Sequence, residues 1–247
     1  MDVQAHFDGV QRMIPGLVGM ATPTNAVYLR ALQAYRPDSS VAGRRLNTLN
    51  TLLYEINFAE LVQNVRGQRW LEAEKQVAQA ANSLRVAGAG FLVVTSNTGS
   101  TLTRLASVES GLPIVDIVEP TLTAVRNSHC KRAGLLSTRR TADSGIYQDA
   151  GRACGLEILA PIAPIGESLE RLIFDELVYG EVTRAGIDTM VAAGEWFADQ
   201  GADALILGCT DMTHLAVQLA ANTTLFVADT TAIHATAAAQ VAWDGII

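Results

Sequence analysis

The sequence lacks the long apolar run that a membrane-spanning helix requires. No apolar stretch approaches roughly 18 uninterrupted residues, and the N-terminus lacks the basic-then-apolar order of a signal peptide. These two absences predict a soluble, cytosolic protein without a membrane partner. At 247 residues and 49% hydrophobic content, the chain can form one large domain or two of ordinary size, each with its own core.

Basic residues are scarce as well. Lys and Arg number 18 against 25 Asp and Glu, and the net charge is −7. The basic residues are scattered along the chain, whereas proteins that bind a phosphate backbone cluster them on one surface. The sequence therefore predicts no nucleic-acid partner.

Cysteine is rare, and the cysteines are not spaced like the ligands of a metal site. The chain has 3 cysteines, Cys130, Cys154 and Cys209, with no CxxC pair among them. An odd number without paired spacing argues against a disulfide framework and against a structural zinc site. We therefore expect no metal.

What the chain does contain is an internal repeat. Residues 88–102 (GAGFLVVTSNTGSTL) align without a gap on residues 201–215 (GADALILGCTDMTHL), at an offset of 201 − 88 = 113. The alignment places Ser96 on Cys209, and it continues far enough to place Asp116 on Asp229. The repeat predicts two related halves that face each other.

Each copy of the repeat consists of a short apolar strand, a polar turn and the start of a helix. The strands are predicted at 91–94 and 204–207. The turns carry hydroxyl, amide and thiol groups beside the free N–H groups of the new helix. Two such turns facing each other would enclose a small anion. The alternative is a duplication that has kept no site, but apolar strands alone do not require these polar turns.

Strands alternate with helices along the rest of the chain, which predicts parallel sheets with ligands at the carboxyl ends of the strands. The fold class is therefore α/β, with two similar Rossmann-like domains related by a pseudo-twofold axis and a site in the cleft between them. The first domain is expected to comprise residues 1–119 and 224–247, and the second residues 120–223. Further strands are predicted at 15–20, 49–56, 132–137 and 156–159, and helices at 24–35, 70–86, 168–179 and 183–200. The first dozen residues are expected to form a leader, and residues 36–45 a loop.

Four short motifs lie at the ends of predicted strands: Gly19-Met20, Ser96-Asn97-Thr98, Leu135-Leu136-Ser137-Thr138 and Gly208-Cys209-Thr210-Asp211. They resemble those of the Asp/Glu racemase superfamily, which includes cofactor-independent amino-acid racemases, hydantoin racemases and arylmalonate decarboxylases. Residues 173–180 and 229–238 also look like its aspartate/glutamate racemase branch. The resemblance implies an isomerase that works without pyridoxal phosphate or another cofactor on an amino-acid-like small molecule, commonly as a homodimer.

The same resemblance implies a set of site residues. Cys209 and Ser96 would be the acid and base on opposite faces of the α-carbon. Cys209 lies at the start of a predicted helix, and this position is expected to lower the pKa of its thiol. The alternative is that Cys209 is only a small buried apolar side chain. Asn97, Thr98 and Thr210 would bind the substrate carboxylate. The substrate-binding residues implied in full are Met20, Glu55, Asn97, Thr98, Thr138, Thr141, Thr210 and Asp211.

The sequence departs from the family pattern at four positions. Ser96 replaces the first cysteine, and Ser100 replaces a frequent histidine. Ser168 stands where aspartate racemases have a lysine, and Glu55 places an acid where a neutral residue is usual; both weaken the case for a dicarboxylic substrate. Ser96 is either the natural residue or an engineered replacement for cysteine, and the sequence leaves both explanations open.

Three functions remain compatible with these residues. The first is an amino-acid racemase or epimerase that uses residues 96 and 209 as two bases. The second is a decarboxylase or lyase, for which the single thiol of Cys209 suffices to protonate a carbanion. The third is a binding protein that keeps the ligand site without catalysis.

Overall fold

The computed structural model of the chain describes residues 12–35 and 48–245. The predicted loop at 36–45, and the predicted leader except for residue 12, lie outside the described residues. Among the described helices, none combines the length and the apolarity needed to cross a membrane.

The first half contains a four-stranded parallel sheet in the order β2-β1-β3-β4. β1 and β3 are therefore its central strands. The elements are β1 (Pro15–Gly19), α1 (Thr22–Ala34), β2 (Leu52–Glu55), α2 (Phe58–Arg66), α3 (Trp70–Val86), β3 (Phe91–Val94), α4 (Asn97–Ser100), α5 (Arg104–Ser110) and β4 (Ile114–Val115).

The second half repeats this plan with the parallel order β6-β5-β7-β8. Two 3₁₀ helices, Leu177–Tyr179 and Thr210–Leu215, accompany its α-helices. The remaining elements are α6 (Val118–Asn127), β5 (Arg132–Leu136), α7 (Arg139–Ser144), α8 (Ile146–Cys154), β6 (Glu157–Leu159), α9 (Ala163–Asp175), α10 (Arg184–Asp199), β7 (Ala204–Leu207), α11 (Ala216–Ala221), β8 (Phe226–Asp229) and α12 (Thr230–Asp244).

The predicted fold class is confirmed. Both sheets are parallel and have equivalent strand orders, and β3 and β7 lie 113 residues apart (204 − 91). Asp116 and Asp229 also form the same hydrogen bonds. Each carboxylate accepts bonds from the backbone N–H groups two and three residues further along the chain. The repeat in the sequence is thus a repeat in three dimensions.

The helix that follows the last strand of each sheet packs against the opposite sheet. Leu122 of α6 packs in one buried cluster with Leu135 of the second sheet. Ala239 of α12 packs with Phe91 of the first sheet. The expected boundary at residue 224 differs from this arrangement, because β8 pairs with β7 in the second sheet. Only α12 returns to the first half.

Close packing explains the composition of the central strands. All residues of β3 and β7 are buried, which is typical of parallel strands covered on both faces. In β5, a Cβ added at Gly134 would lie 2.3 Å from the ring of Phe197. Only glycine lets α10 approach the sheet at this point.

Element boundaries differ from the predictions where local signals are weak. α3, β3 and β7 occupy their predicted residues. The helix predicted at 168–179 begins at Ala163, with Pro164 in its first turn, and ends at Asp175 before a separate 3₁₀ turn. α2 was not predicted; its N-cap is Asn57, whose side chain accepts a bond from the backbone N–H of Glu60 at 3.3 Å.

Candidate active site

The carboxyl ends of the four central strands meet at one cavity between the two halves. Met20 follows β1, Ser96 follows β3, Thr138 follows β5 and Cys209 follows β7, and all four line the cavity. This is the edge where parallel α/β sheets bind ligands. The other predicted site residues on its wall are Asn97, Thr98, Thr141, Thr210 and Asp211.

Glu55 is the predicted site residue that the structure leaves out of this cavity. It is exposed at the end of β2, where its carboxylate accepts a hydrogen bond from Nδ2 of Asn25 at 2.7 Å. Asn25 is itself buried and accepts a bond from Thr95 at 2.8 Å, so it holds the carboxylate at the strand end. Glu55 therefore adds no negative charge to the cavity wall.

In the first turn, Ser96 caps its own helix. Its Oγ accepts a bond from the N–H of Gly99 at 3.0 Å. Asn97 donates from Nδ2 to Thr230 at 3.1 Å and accepts at Oδ1 from the hydroxyl of Tyr147 at 2.5 Å. Both ends of this amide are bound by groups of the protein, so Asn97 holds the turn in place.

Three threonine hydroxyls from both halves form a cluster on the cavity wall. Oγ1 of Thr98 lies 2.9 Å from that of Thr141 and 3.3 Å from that of Thr138. Thr138 also donates to Thr141 at 3.2 Å. Hydroxyl groups rotate to suit a partner, so this cluster can turn its donors toward an anion in the cavity.

In the second turn, Cys209 faces a carboxylate. Its thiol donates to Oδ2 of Asp211 at 3.8 Å. Oδ1 of Asp211 accepts a bond from the hydroxyl of Thr24, which belongs to the first half. Thr210 donates its hydroxyl to the carbonyl of Thr95 at 3.1 Å, so it ties the second turn to the first.

The pKa of Cys209 departs from the sequence prediction. Burial first, and then the charge of Asp211, raise the pKa of the thiol well above its ordinary value. The backbone N–H groups of Asp211 and Met212 act in the expected direction and lower it, but burial outweighs them. At neutral pH Cys209 is therefore a thiol, and the expected lowered pKa was wrong.

Burial also raises the pKa of Asp211. The hydroxyl of Thr24, the charge of His214 and the thiol of Cys209 act against this shift. The carboxylate thus depends on donors from both halves of the molecule.

Sequence reasoning missed several residues in and behind the cavity wall. Tyr147 of α8 lies behind the wall and donates a hydrogen bond to Asn97, and no local signal in the sequence indicated it. Arg66 and Arg140 add two cations to the wall. Arg140 lies between the predicted site residues Thr138 and Thr141, and this position could have identified it. Apolar side chains of α2, α9 and the 3₁₀ helix after α9 cover the rest of the wall: Phe58, Leu61, Val62, Val65, Ile173, Phe174 and Val178.

The other unusual serines lie outside the cavity. Ser100 lines a separate surface groove, and Ser168 donates to the carbonyl of Pro164 at 3.0 Å within α9. Within residues 12–35 and 48–245, no group of three or more His, Cys, Asp and Glu side chains is arranged to bind a metal ion.

Comparison with known proteins connects this site to a family. The chain is 32% identical over 135 residues to the glutamate racemase of Aquifex aeolicus (strain VF5). That match covers 53% of the chain and 50% of the relative, so the chain matches about half the length of this curated relative.

Two solved structures match almost the whole chain. A candidate Asp/Glu racemase from Yersinia pestis has a TM-score of 0.80 and 30% identity, over 94% of this chain and 99% of that one. An aspartate racemase homologue from Pyrococcus horikoshii OT3 has a TM-score of 0.74 and 24% identity, over 94% and 100% of the two chains. The family model for Asp/Glu/Hydantoin racemase matches residues 17–238. The chain therefore belongs to the Asp/Glu/Hydantoin racemase family.

Proposed function

We propose that this protein is a cofactor-independent racemase or epimerase of an amino acid or a close derivative. The observation that carries the proposal is that Ser96 and Cys209, which occupy the same position of the repeat, line one cavity from opposite halves. Inversion of an α-carbon requires proton removal on one face and proton delivery on the other. Two facing turns of this kind suit that requirement.

Cys209 is the stronger of the two proton-transfer groups. As a protonated thiol beside Asp211, it delivers a proton to one face of the carbanion, and the resulting thiolate can remove the proton again. Ser96 offers only a hydroxyl on the opposite face, and its oxygen already accepts a bond from Gly99. We therefore propose an unequal pair in which exchange through Cys209 is fast and exchange through Ser96 is slow.

The hydroxyl cluster of Thr98, Thr138 and Thr141 is the proposed carboxylate site. These hydroxyls bond mainly to one another, so a bound carboxylate can replace those bonds without leaving a buried donor unpaired. Donors aimed at the carboxylate stabilise the negative charge that develops on it when the α-proton leaves. We assign Asn97 and Thr210, which also line the cavity, mainly to supporting the turns.

The cavity wall suits two classes of substrate side chain. Glu55 lies outside the cavity, so it gives no reason to exclude an acidic side chain. Arg66 and Arg140 line the wall together with Glu170 and seven apolar residues, which suits either a carboxylate or an apolar group. Both classes belong in the screen.

A decarboxylase or lyase is the second candidate, and a specific observation favours it. The cavity contains one protonated thiol opposite a serine, and protonation of a carbanion after loss of carbon dioxide requires only one such acid. In this reaction the C–C bond electrons stay on the α-carbon and then form the new C–H bond with the thiol proton.

Heavy-water exchange separates these candidates. The protein is incubated in D₂O with each enantiomer of acidic and apolar amino acids, and with substituted malonates, while deuterium at the α-carbon, optical rotation and carbon dioxide are measured. A racemase incorporates deuterium and changes rotation, a decarboxylase releases carbon dioxide, and a binding protein does neither. Cys154→Ser is the matched control, because this cysteine ends α8 outside the cavity. Absence of exchange with every substrate would contradict the racemase proposal.

The cellular compartment and the oligomeric state belong to the same proposal. We propose a cytosolic homodimer on the basis of the family resemblance. Light scattering coupled to size-exclusion chromatography tests the dimer, and a monomeric mass of about 26.3 kDa would contradict it.

A further inference from the structure

Two arginine–aromatic contacts lie beside the cavity. The guanidinium carbon of Arg66 is 4.7 Å from the ring centroid of Phe174, and that of Arg140 is 4.2 Å from the ring centroid of Trp70. Both distances are within the range at which a cation is attracted to an aromatic face.

Each contact joins the two halves, and the two contacts run in opposite directions. Arg66 ends α2 of the first half, and Phe174 packs in the apolar core of the second half. Arg140 lies in α7 of the second half, and Trp70 packs against the core of the first. Separation of the halves would therefore break both contacts at once.

The contacts also belong to the wall of the cavity. Arg66, Arg140 and Phe174 line the same space as Cys209. In the part of the chain that the structure describes, neither guanidinium group has an ion pair or a hydrogen bond to another residue. The aromatic rings are thus what these two arginines contact across the cleft.

Other links between the halves lie at the strand ends and in the packing of α12 on the first half. The hydrogen bonds at the strand ends include Thr24–Asp211, Thr98–Thr141, Asn97–Tyr147 and Thr210–Thr95, all between buried or half-buried groups. Arg66 is exposed and Arg140 is half-buried. The Arg66–Phe174 contact therefore lies on the solvent side of the cavity, where a ligand has to enter.

We propose that the Arg66–Phe174 and Arg140–Trp70 pairs form a latch that holds the cleft closed over Cys209, and that the ligand enters when both pairs separate. This device is independent of the reaction that the cavity catalyses. Exposed arginine–aromatic contacts are individually weak, so two of them can keep a cleft closed and still allow it to open repeatedly.

Alkylation of Cys209 reports the opening. The rate of modification by iodoacetamide is measured by mass spectrometry at one fixed pH for Phe174→Leu, Trp70→Leu and the double variant. Loss of one pair is expected to speed alkylation of Cys209 ~2–5-fold, and loss of both by the product of the two factors. Cys130 and Cys154 lie outside the cavity and are the internal references.

Conservative variants separate the latch from general packing. Phe174→Tyr and Trp70→Phe keep an aromatic face, so Cys209 should react at the wild-type rate. Trp243→Leu breaks a similar contact with Arg12, 3.7 Å from the ring centroid and outside the cavity, and should also leave that rate unchanged.

A second measurement covers variants that fold poorly. Arg66→Gln combined with Arg140→Gln leaves both rings in place, and amide hydrogen exchange of peptides covering 96–100 and 209–215 reports opening without any dependence on the thiol. Faster exchange in these two peptides supports the latch. Unchanged alkylation and exchange in the double variants, or equal acceleration at all three cysteines, would overturn it. Because neither readout uses turnover, the latch can hold even if the proposed reaction fails.

Discussion

The two turns of the repeat occupy equivalent places and form different hydrogen bonds. Ser96 accepts a hydrogen bond from the helix that it begins, whereas the thiol of Cys209 donates to the carboxylate of Asp211. The position of Asp211 in the second turn corresponds to Thr98 in the first, since 211 − 98 = 113. Equivalent positions of the repeat thus carry a helix cap in the first turn and a thiol beside a carboxylate in the second.

In each half, a threonine forms a hydrogen bond with the turn of the other half. Thr24 donates to Asp211 across the cleft, and Thr141 bonds to Thr98. Thr24 and Thr141 are related by 141 − 24 = 117, the offset that also separates the starts of β1 and β5 (132 − 15). Equivalent threonines therefore hold a charged group in one turn and a hydroxyl in the other.

The most severe test of the difference between the turns is Cys209→Ser. If the second turn supplies the principal acid, this change should remove exchange of the α-hydrogen to below detection, because loss of an acid/base group costs about 10²–10⁴-fold and serine already occupies the opposite turn. Deuterium incorporation measured by mass spectrometry checks this result. Cys154→Ser should retain the wild-type rate, and equal losses in both variants would argue against a special role for Cys209.

Ser96→Cys should make the two turns alike. The side chains differ little in size, and interconversion of enantiomers should rise by about 10²–10⁴-fold because a thiol is a much better acid and base than a hydroxyl. Circular dichroism follows the rate from each enantiomer. A variant that still binds the ligand but shows no gain would rule out the two-base reaction and favour the single-thiol decarboxylase.

His234 gives one half a buried group that titrates in acid, and the other half has no titratable group at the equivalent position. It is fully buried, donates from Nε2 to the carbonyl of Val115 at 3.0 Å, and accepts at Nδ1 from Tyr28 at 2.8 Å. Burial lowers the pKa of His234 to about 4, against the smaller opposing effects of the Val115 carbonyl and the charge of Asp116. The equivalent residue of the other half is Thr121 (234 − 113), which does not titrate.

The sign of this effect follows from proton binding. Below its ordinary pKa of 6.5 the histidine takes up a proton in the unfolded chain, while the folded protein keeps it neutral down to about pH 4. The free energy of unfolding should therefore fall by about 3 kcal/mol between pH 6.5 and pH 4 through this residue. The raised pKa values of Asp211 and Asp229 act in the opposite direction. Urea unfolding at several pH values should show that His234→Gln removes this component, and an unchanged pH profile would contradict the assignment.

The smallest expected effect is a difference in the free energy of unfolding between variants of Thr24 and Thr141. Thr24→Val removes a bond to a carboxylate and should lower the free energy of unfolding by about 2 kcal/mol, whereas Thr141→Val removes bonds to hydroxyls and should cost about 1 kcal/mol. Both residues are buried, so the two variants are well matched. Urea titration at neutral pH measures the difference. Equal losses would mean that the charge of Asp211 adds nothing to its link with Thr24.

The sequence by itself determined the repeat, the parallel α/β plan and the place of the two turns. These features depend on local patterns: apolar runs such as 91–94 and 204–207 form buried strands wherever helices cover both faces of a sheet. The side chains that follow them must then lie at the carboxyl edge. For this reason Ser96, Thr98, Cys209 and Asp211 could be named as cavity residues before the structure was known.

Only the tertiary structure decided how these groups behave. Asn25 holds Glu55 outside the cavity, Tyr147 from a distant helix occupies the amide of Asn97, and burial raises the pKa of Cys209 although its position at a helix start favours the thiolate. Desolvation and contacts between residues far apart in sequence depend on which surfaces the two halves bury together. No local pattern encodes that information, so the chemistry of the turns follows from the packing of one half against the other.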